Sequence, residues 1–183
     1  MLDDAALIRA AQSGNSQAFS ELINRYYPTL YRFSYRWCGN PVEADDITQQ
    51  ACIKLARSIG QFRFEAAFTS WLYRLVINCA KDWQNSQRRH QGEELCPNNE
   101  DAADEQPDGA AGIYVQQVLR QLERMGEHYK ETALLVFAEG MSHAEAASVL
   151  EVKESTVSWR LHEIRKQLQL LQRTQPGSWE VEP

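Results

Sequence analysis

Ser155, Trp159, His162, Glu163 and Lys166 recur at steps of three and four near the carboxy-terminal end of this chain, and Arg160 and Arg165 flank them. On a helix, at 100° per residue, they share the face opposite Val157, Leu161, Ile164 and Leu168, which form a core stripe. Such a helix suits a DNA major groove. Short polar groups near its start, here Ser155, Thr156 and Ser158, can reach base edges, while cations meet phosphate. Ser158, Trp159, His162 and Glu163 are the expected base-facing set; Arg160, Arg165 and Lys166 are the expected phosphate set. A solvated amphipathic helix shows the same stripe. Trp159 weighs against that reading, because a tryptophan opposite the core has no packing reason in the pattern, although a protein partner would also supply one.

Two further stretches carry unusual combinations. From Gly60 to Arg74 aromatics alternate with arginine, which suits single-stranded nucleic acid, where bases stack on rings and cations meet phosphate. Phe62, Phe68, Trp71 and Leu72 serve equally well as core, leaving Arg63, Phe64 and Glu65 as loop-tip candidates. Asn78 and Lys81 follow, with Asp82, and Arg88 and Arg89 close the segment. Upstream, Asp46, Gln49 and Ile53, with Gln50 beside them, lie opposite the stripe Ile47, Ala51, Leu55 and Ile59. An isoleucine within an acid-and-amide face suggests a protein contact with an apolar centre and a polar rim.

No nucleophile–base pair, metal-ligand cluster or phosphate-binding glycine loop accompanies them, so an enzyme is disfavoured and no cofactor is expected. Cys38, Cys52, Cys79 and Cys96 are widely spaced and read as thiols in a reducing compartment. His90 and Cys96 are two lone ligands, too few for a metal site. The acidic start, Met1-Leu2-Asp3-Asp4, lacks the pattern of a signal peptide, and no apolar run is long enough to span a bilayer, so a cytoplasmic protein is expected.

The net charge of −6 is unevenly placed. Residues 1–90 carry +3, residues 91–112 carry −7 with no base, residues 113–175 are balanced and the tail 176–183 adds −2. The acidic segment also holds Pro97, Pro107, Gly92, Gly109, Asn98 and Asn99, the composition of a solvated linker. It divides the 183 residues into domains of 1–90 and 113–175, followed by a disordered tail at 176–183.

The elements that must position these residues are helices. Leu7, Ala10 and Ala11 suit a short first helix, and Phe19, Leu22, Tyr26, Leu30, Phe33 and Trp37 mark a longer one in which Pro28 predicts a kink or a break. Asn40-Pro41 is a helix start, and a loop of about eight residues after Gly60 leads to a long helix at about 68–89. Four helices follow. Val115, Val118, Leu119 and Leu122 mark the first, and Leu134, Leu135 and Phe137 the second; a capping box at Ser142 and Glu145 opens the third, and a short turn leads to the last, at about 154–172. The fold class is all-α, ending in a helix-turn-helix.

Ala44-Asp45-Asp46-Ile47-Thr48-Gln49-Gln50 is similar to the stretch by which sigma factors grip the polymerase clamp helices. The spacing Phe68, Trp71-Leu72-Tyr73-Arg74, Asn78, Asp82 resembles the adjoining −10 reader, and Ser155 to His162 resembles the helix that reads the −35 element. In this order the three stretches resemble the extracytoplasmic-function branch of the sigma-70 family over nearly the whole chain. That resemblance implies a region 2-like bundle and a region 4-like helix-turn-helix joined by a flexible acidic linker. It also implies docking on the β′ clamp helices of core RNA polymerase through Asp45, Asp46, Gln49, Gln50 and Ile53, with the β flap as a further contact of the polymerase. Arg63, Phe64, Glu65, Trp71, Asn78 and Lys81 would meet −10 DNA, the linker would thread the polymerase's cationic channel, and an anti-sigma factor would regulate the chain. The sequence departs from the family pattern at Gln50, Cys52 and Ala56, and at Ser158 and Glu163, where relatives often carry bases. Glu151 stands where glycine is frequent; in a left-handed conformation it would cost about 1 kcal/mol. The rival readings are a one-component helix-turn-helix regulator acting without polymerase and a protein-only adaptor.

Overall fold

The computed structural model describes residues 3–93 and 109–174; the core of the acidic segment, with Cys96, and the tail lie outside the described residues. No strand occurs among the described residues. Two compact units divide the chain, one through Ile113 and the other from Tyr114.

The first unit opens with α1 (Asp4–Gln12) and α2 (Ser16–Cys38). Asn15 caps α2 by accepting from Ala18 N at 3.0 Å, and Gly39, in the left-handed region, ends it. Pro28 does not break α2, which runs through it for 23 residues. The proline is exposed, while Leu22 on one side and Leu30, Phe33 and Trp37 on the other are buried. Packing on both sides thus offsets the lost backbone hydrogen bond.

Asn40 Oδ1 accepts from Val42 N and Glu43 N, and with Pro41 it starts α3 (Pro41–Ser58). Ala44, Ile47, Ala51 and Leu55 are fully buried. Among them lies Thr48, whose hydroxyl donates to Ala44 O at 2.7 Å and meets Ser34 Oγ at 3.1 Å, so two buried hydroxyls satisfy each other across the helix pair. A 3₁₀ turn (Ile59–Gln61) and a loop at 62–67 lead to α4 (Phe68–Glu93), which packs on α2 and α3 through Leu72, Tyr73, Val76 and Ala80.

The second unit holds α5 (Gly109–Met125) from Tyr114 on, α6 (Tyr129–Ala133), α7 (His143–Leu150) and α8 (Glu154–Thr174). Leu119, Leu122, Leu134, Leu135, Ala146, Val149, Val157, Leu161 and Ile164 are its core. Val115, expected on the buried stripe of α5, is exposed. The chain after α6 continues as a π-helical segment, Leu134–Ala138, whose wider turn breaks the 3.6-residue period. Phe137, expected as a core marker, is therefore 53% exposed.

Candidate nucleic-acid and protein-binding surfaces

Asp46, Gln49, Gln50 and Ile53 all lie on the exposed side of α3. Val42, 64% exposed, joins Ile53 on this side at the helical steps 42, 46, 49 and 53, so the face carries a second apolar residue that the sequence reading passed over. Ile53 also borders a groove of about 430 Å³ between α2 and α3, lined by Phe19, Ile23, Cys52 and Ala56. The two small residues at 52 and 56 leave the room that larger ones would fill. Asp45 is placed differently from its neighbours. It is half-buried, accepting from Tyr27 Oη at 2.7 Å and from Gln49 Nε2 at 2.8 Å. The carboxylate, helped by burial, pushes the Tyr27 hydroxyl up to about 12, which keeps it a donor. Asp45 braces α2 against α3, and Gln49 presents its outer face with one amide hydrogen already engaged.

The loop at 62–67 is tied from beneath. Phe62 is buried, with ring centroids of Phe64, Phe68 and Trp71 at 4.9, 5.1 and 5.6 Å. Phe64, expected at the loop tip, folds back onto this cluster with φ +60°, and the Arg9 guanidinium covers its ring at 4.4 Å. Of the three tip candidates, Arg63 and Glu65 are exposed and Phe64 is half-buried. Gln12 Nε2 donates to both Ile59 O and Phe62 O, at 2.9 and 2.8 Å. A cleft of about 340 Å³ opens between Asp4, Ala5 and Ile8 of α1 and the rings of Tyr26, Phe62, Phe64 and Phe68. Asp4 accepts from Tyr26 Oη and pairs with Arg25, which together hold its carboxyl below the usual range against the opposing effect of burial. Trp71 is half-buried and stacked on Phe68 at 5.7 Å, so it borders the core with one side showing. Asn78 is exposed and Lys81 half-buried, one turn apart on α4; Asp82 pairs with Lys54 at 3.2 Å.

In the second unit both halves of the capping box form: Glu145 N donates to Ser142 Oγ, and Ser142 N donates to Glu145 Oε2 at 2.8 Å. Glu151, with φ +54°, makes the left-handed corner between α7 and α8. Val157, Leu161 and Ile164 are fully buried, and Ser155, Ser158, Trp159, His162, Arg165 and Lys166 are exposed; Thr156, Arg160 and Glu163 are half-buried. Trp159 does have a packing neighbour. Its ring lies 6.1 Å from that of Tyr129, yet 56% of the residue stays exposed. Ser158 Oγ lies 2.9 Å from His143 Nδ1, which ties the outer face of α8 to the start of α7. Arg160 Nη1 is buried with no hydrogen-bond partner among the described residues, so this side chain does not stand clear of the helix as a flanking cation would. Tyr129, His143, Gln12 and Arg9 were not singled out by the sequence, where nothing marks contacts between such distant positions.

Residues 22–90 match the family described as Sigma-70 region 2, and residues 115–168 match Sigma-70, region 4. The chain is 32% identical over 168 residues to the ECF RNA polymerase sigma factor SigM of Mycobacterium tuberculosis, covering 90% of this chain and 82% of that protein. It is 26% identical over 181 residues to the ECF RNA polymerase sigma-E factor of Escherichia coli, covering 90% and 92% respectively. CnrH, solved in complex with the cytosolic domain of CnrY, has the same fold, with a TM-score of 0.69 and 24% identity over 93% of this chain and 97% of that one. Sigma factors are non-enzymatic initiation factors. The chain belongs to the sigma-70 family, in its extracytoplasmic-function branch, whose members bind core RNA polymerase and direct transcription from promoters with particular −10 and −35 elements.

Proposed function

We propose a division of labour among the three surfaces. The outer face of α3, with Val42 and Ile53 as apolar points among Asp46, Gln49 and Gln50, docks on the clamp helices of core polymerase. Arg63 and Glu65, with Asn78 and Lys81 along α4 and the open side of Trp71, meet the −10 strand. The exposed face of α8 lies in the −35 duplex, where Ser158, Trp159, His162 and Glu163 face bases, Arg165 and Lys166 face phosphates, and Ser155 and Thr156 stand at the helix start. The second unit also meets the β flap, and the chain does its work by binding, without catalysis, in the cytoplasm. An anti-sigma protein competes for these surfaces. The apolar groove beside Ile53 suits such a partner, and CnrH, which shares this fold, was solved with a partner's cytosolic domain.

The observation that carries this reading is the exposed apolar pair, Val42 and Ile53, on the otherwise polar outer face of α3. Ile53→Glu, and Asp46→Ala with Gln49→Ala, should each weaken holoenzyme assembly about tenfold or more while circular dichroism stays unchanged. Unchanged affinity for core enzyme in both folded variants would remove the assignment.

A further inference from the structure

Helix α1 precedes the stretch that matches Sigma-70 region 2, which begins at residue 22, yet it makes the contacts that shape the loop at 62–67. Gln12 Nε2 donates to Ile59 O and Phe62 O, so both amide hydrogens hold the root of the loop. Phe64 sits at φ +60°, a region unfavourable for a residue with a β-carbon, and such a conformation persists where its surroundings over-determine it. Here Phe62 lies against one side of the ring and Arg9 covers it. With the ring turned inward, Arg63 and Glu65 on either side are left exposed. Without the Gln12 donors, Phe62 O loses its side-chain partner and Ile59 O keeps only the Phe62 N–H, at 3.1 Å. Without Arg9, the strained ring loses its cover.

We propose that α1 is part of the −10 reader: Gln12 and Arg9 are positioning residues that fix the loop conformation in which Arg63 and Glu65 meet the separated strand. The proposal rests on the reading of that loop given under Proposed function, and its test separates the two. Holoenzyme rebuilt from core polymerase and the full chain would transcribe one promoter library randomised at −10 and another randomised at −35. Arg63→Ala with Glu65→Ala tests the loop itself. Gln12→Met keeps the side-chain length and removes both donors, and Arg9→Ala changes an exposed residue.

The double variant and Gln12→Met should lose discrimination at the same −10 positions. The loss with Gln12→Met should be about three- to tenfold, as expected for a part-buried hydrogen-bond donor. With Arg9→Ala it should be about two- to threefold, as expected for an exposed cation over a ring. Preferences at −35 should not move. If the double variant alters −10 preference while both α1 variants leave it intact, or lower output equally from every −10 sequence, α1 is only structural and the proposal is overturned. If the double variant leaves −10 preference unchanged, the reading of the loop fails first and takes the proposal with it. Should Gln12→Met fail to fold by circular dichroism, Arg9→Ala decides, and an unaltered −10 preference in that variant overturns the proposal.

Discussion

The loop at 62–67 and helix α8 are held by opposite means. The loop has no backbone regularity of its own, and its shape comes from side chains far away in sequence: Gln12 reaches acceptors 47 and 50 residues on, and Arg9 covers Phe64. Helix α8 takes its shape from its own ladder and buried stripe, with a nearby capping box and a left-handed corner aiming it. Its outer residues are tied lightly, Ser158 to His143 and Trp159 to Tyr129. A surface carried on a helix can change its side chains without losing its form. A surface carried on a braced loop changes form when a distant brace is removed. Promoter preference at −35 should therefore respond mainly to substitutions on α8, and preference at −10 to substitutions well outside the loop.

The largest effects come from the cores that carry the two surfaces. Leu161 and Leu55 are both fully buried, and truncating either to alanine should cost about 2–5 kcal/mol. Leu161→Ala should abolish binding to a −35 duplex while leaving the docking of α3 on the clamp helices near wild type, and Leu55→Ala should do the reverse. Amide hydrogen exchange read separately in α4 and α8 checks this. If either substitution raises exchange equally in both helices, the units do not fold independently and the comparison between them breaks.

Next in size is a substitution on α8 alone. Glu163 is half-buried on the expected base-facing side; a carboxylate accepts from cytosine but cannot donate to guanine. Glu163→Arg should change the preferred −35 base, with discrimination at that position shifting by about 1–3 kcal/mol. A phosphate-facing variant such as Lys166→Ala should instead weaken all sequences alike and reduce the salt slope by about one. Selection from a −35 library at two salt concentrations distinguishes these. A uniform gain for Glu163→Arg with the same preferred sequence would place Glu163 beside backbone or solvent. A smaller effect sharpens the same comparison. Tyr129→Ala removes the ring beside Trp159 and should lower discrimination by about 0.5–1.5 kcal/mol, with Tyr129→Phe close to wild type.

The same contrast explains what could be read from the sequence. The buried stripes of α3 and α8, the Asn40-Pro41 start and the Ser142–Glu145 capping box are patterns within a few residues, and each was legible. Glu151 was legible as a departure, since a corner that usually takes glycine was flagged by a residue that does not suit it. Pro28 misled in part, because whether a proline breaks a helix depends on packing partners elsewhere in the chain. Phe137 was lost to the π segment, which shifts the phase of the period where the sequence shows an ordinary apolar run. Asp45 enters from the sequence only through the resemblance, as a docking residue; the structure brings Tyr27 against it. The bracing of the loop was invisible, for a glutamine and an arginine on a short first helix carry no sign of what lies beside them fifty residues on.

The smallest expected effect lies at Glu151, and it tests whether the geometry of α8 is robust. At φ +54° and ψ +39° its β-carbon crowds the backbone, and glycine avoids this. Glycine also gives the unfolded chain more freedom, which offsets part of the gain. The net for Glu151→Gly should be a stabilisation of about 0.5–1 kcal/mol, because a left-handed position is one where the relief of strain exceeds the added unfolded-state entropy. Thermal unfolding of the second unit should shift upward by a few degrees. Glu151→Ala keeps the β-carbon and should show no such gain, which separates backbone strain from loss of the glutamate side chain. Because the corner keeps its left-handed conformation in either variant, α8 should enter the groove at the same angle, and −35 preference should be unchanged. A stabilised Glu151→Gly protein with altered −35 preference would show that this corner aims the helix loosely, and that α8, like the loop, depends on bracing from outside its own ladder.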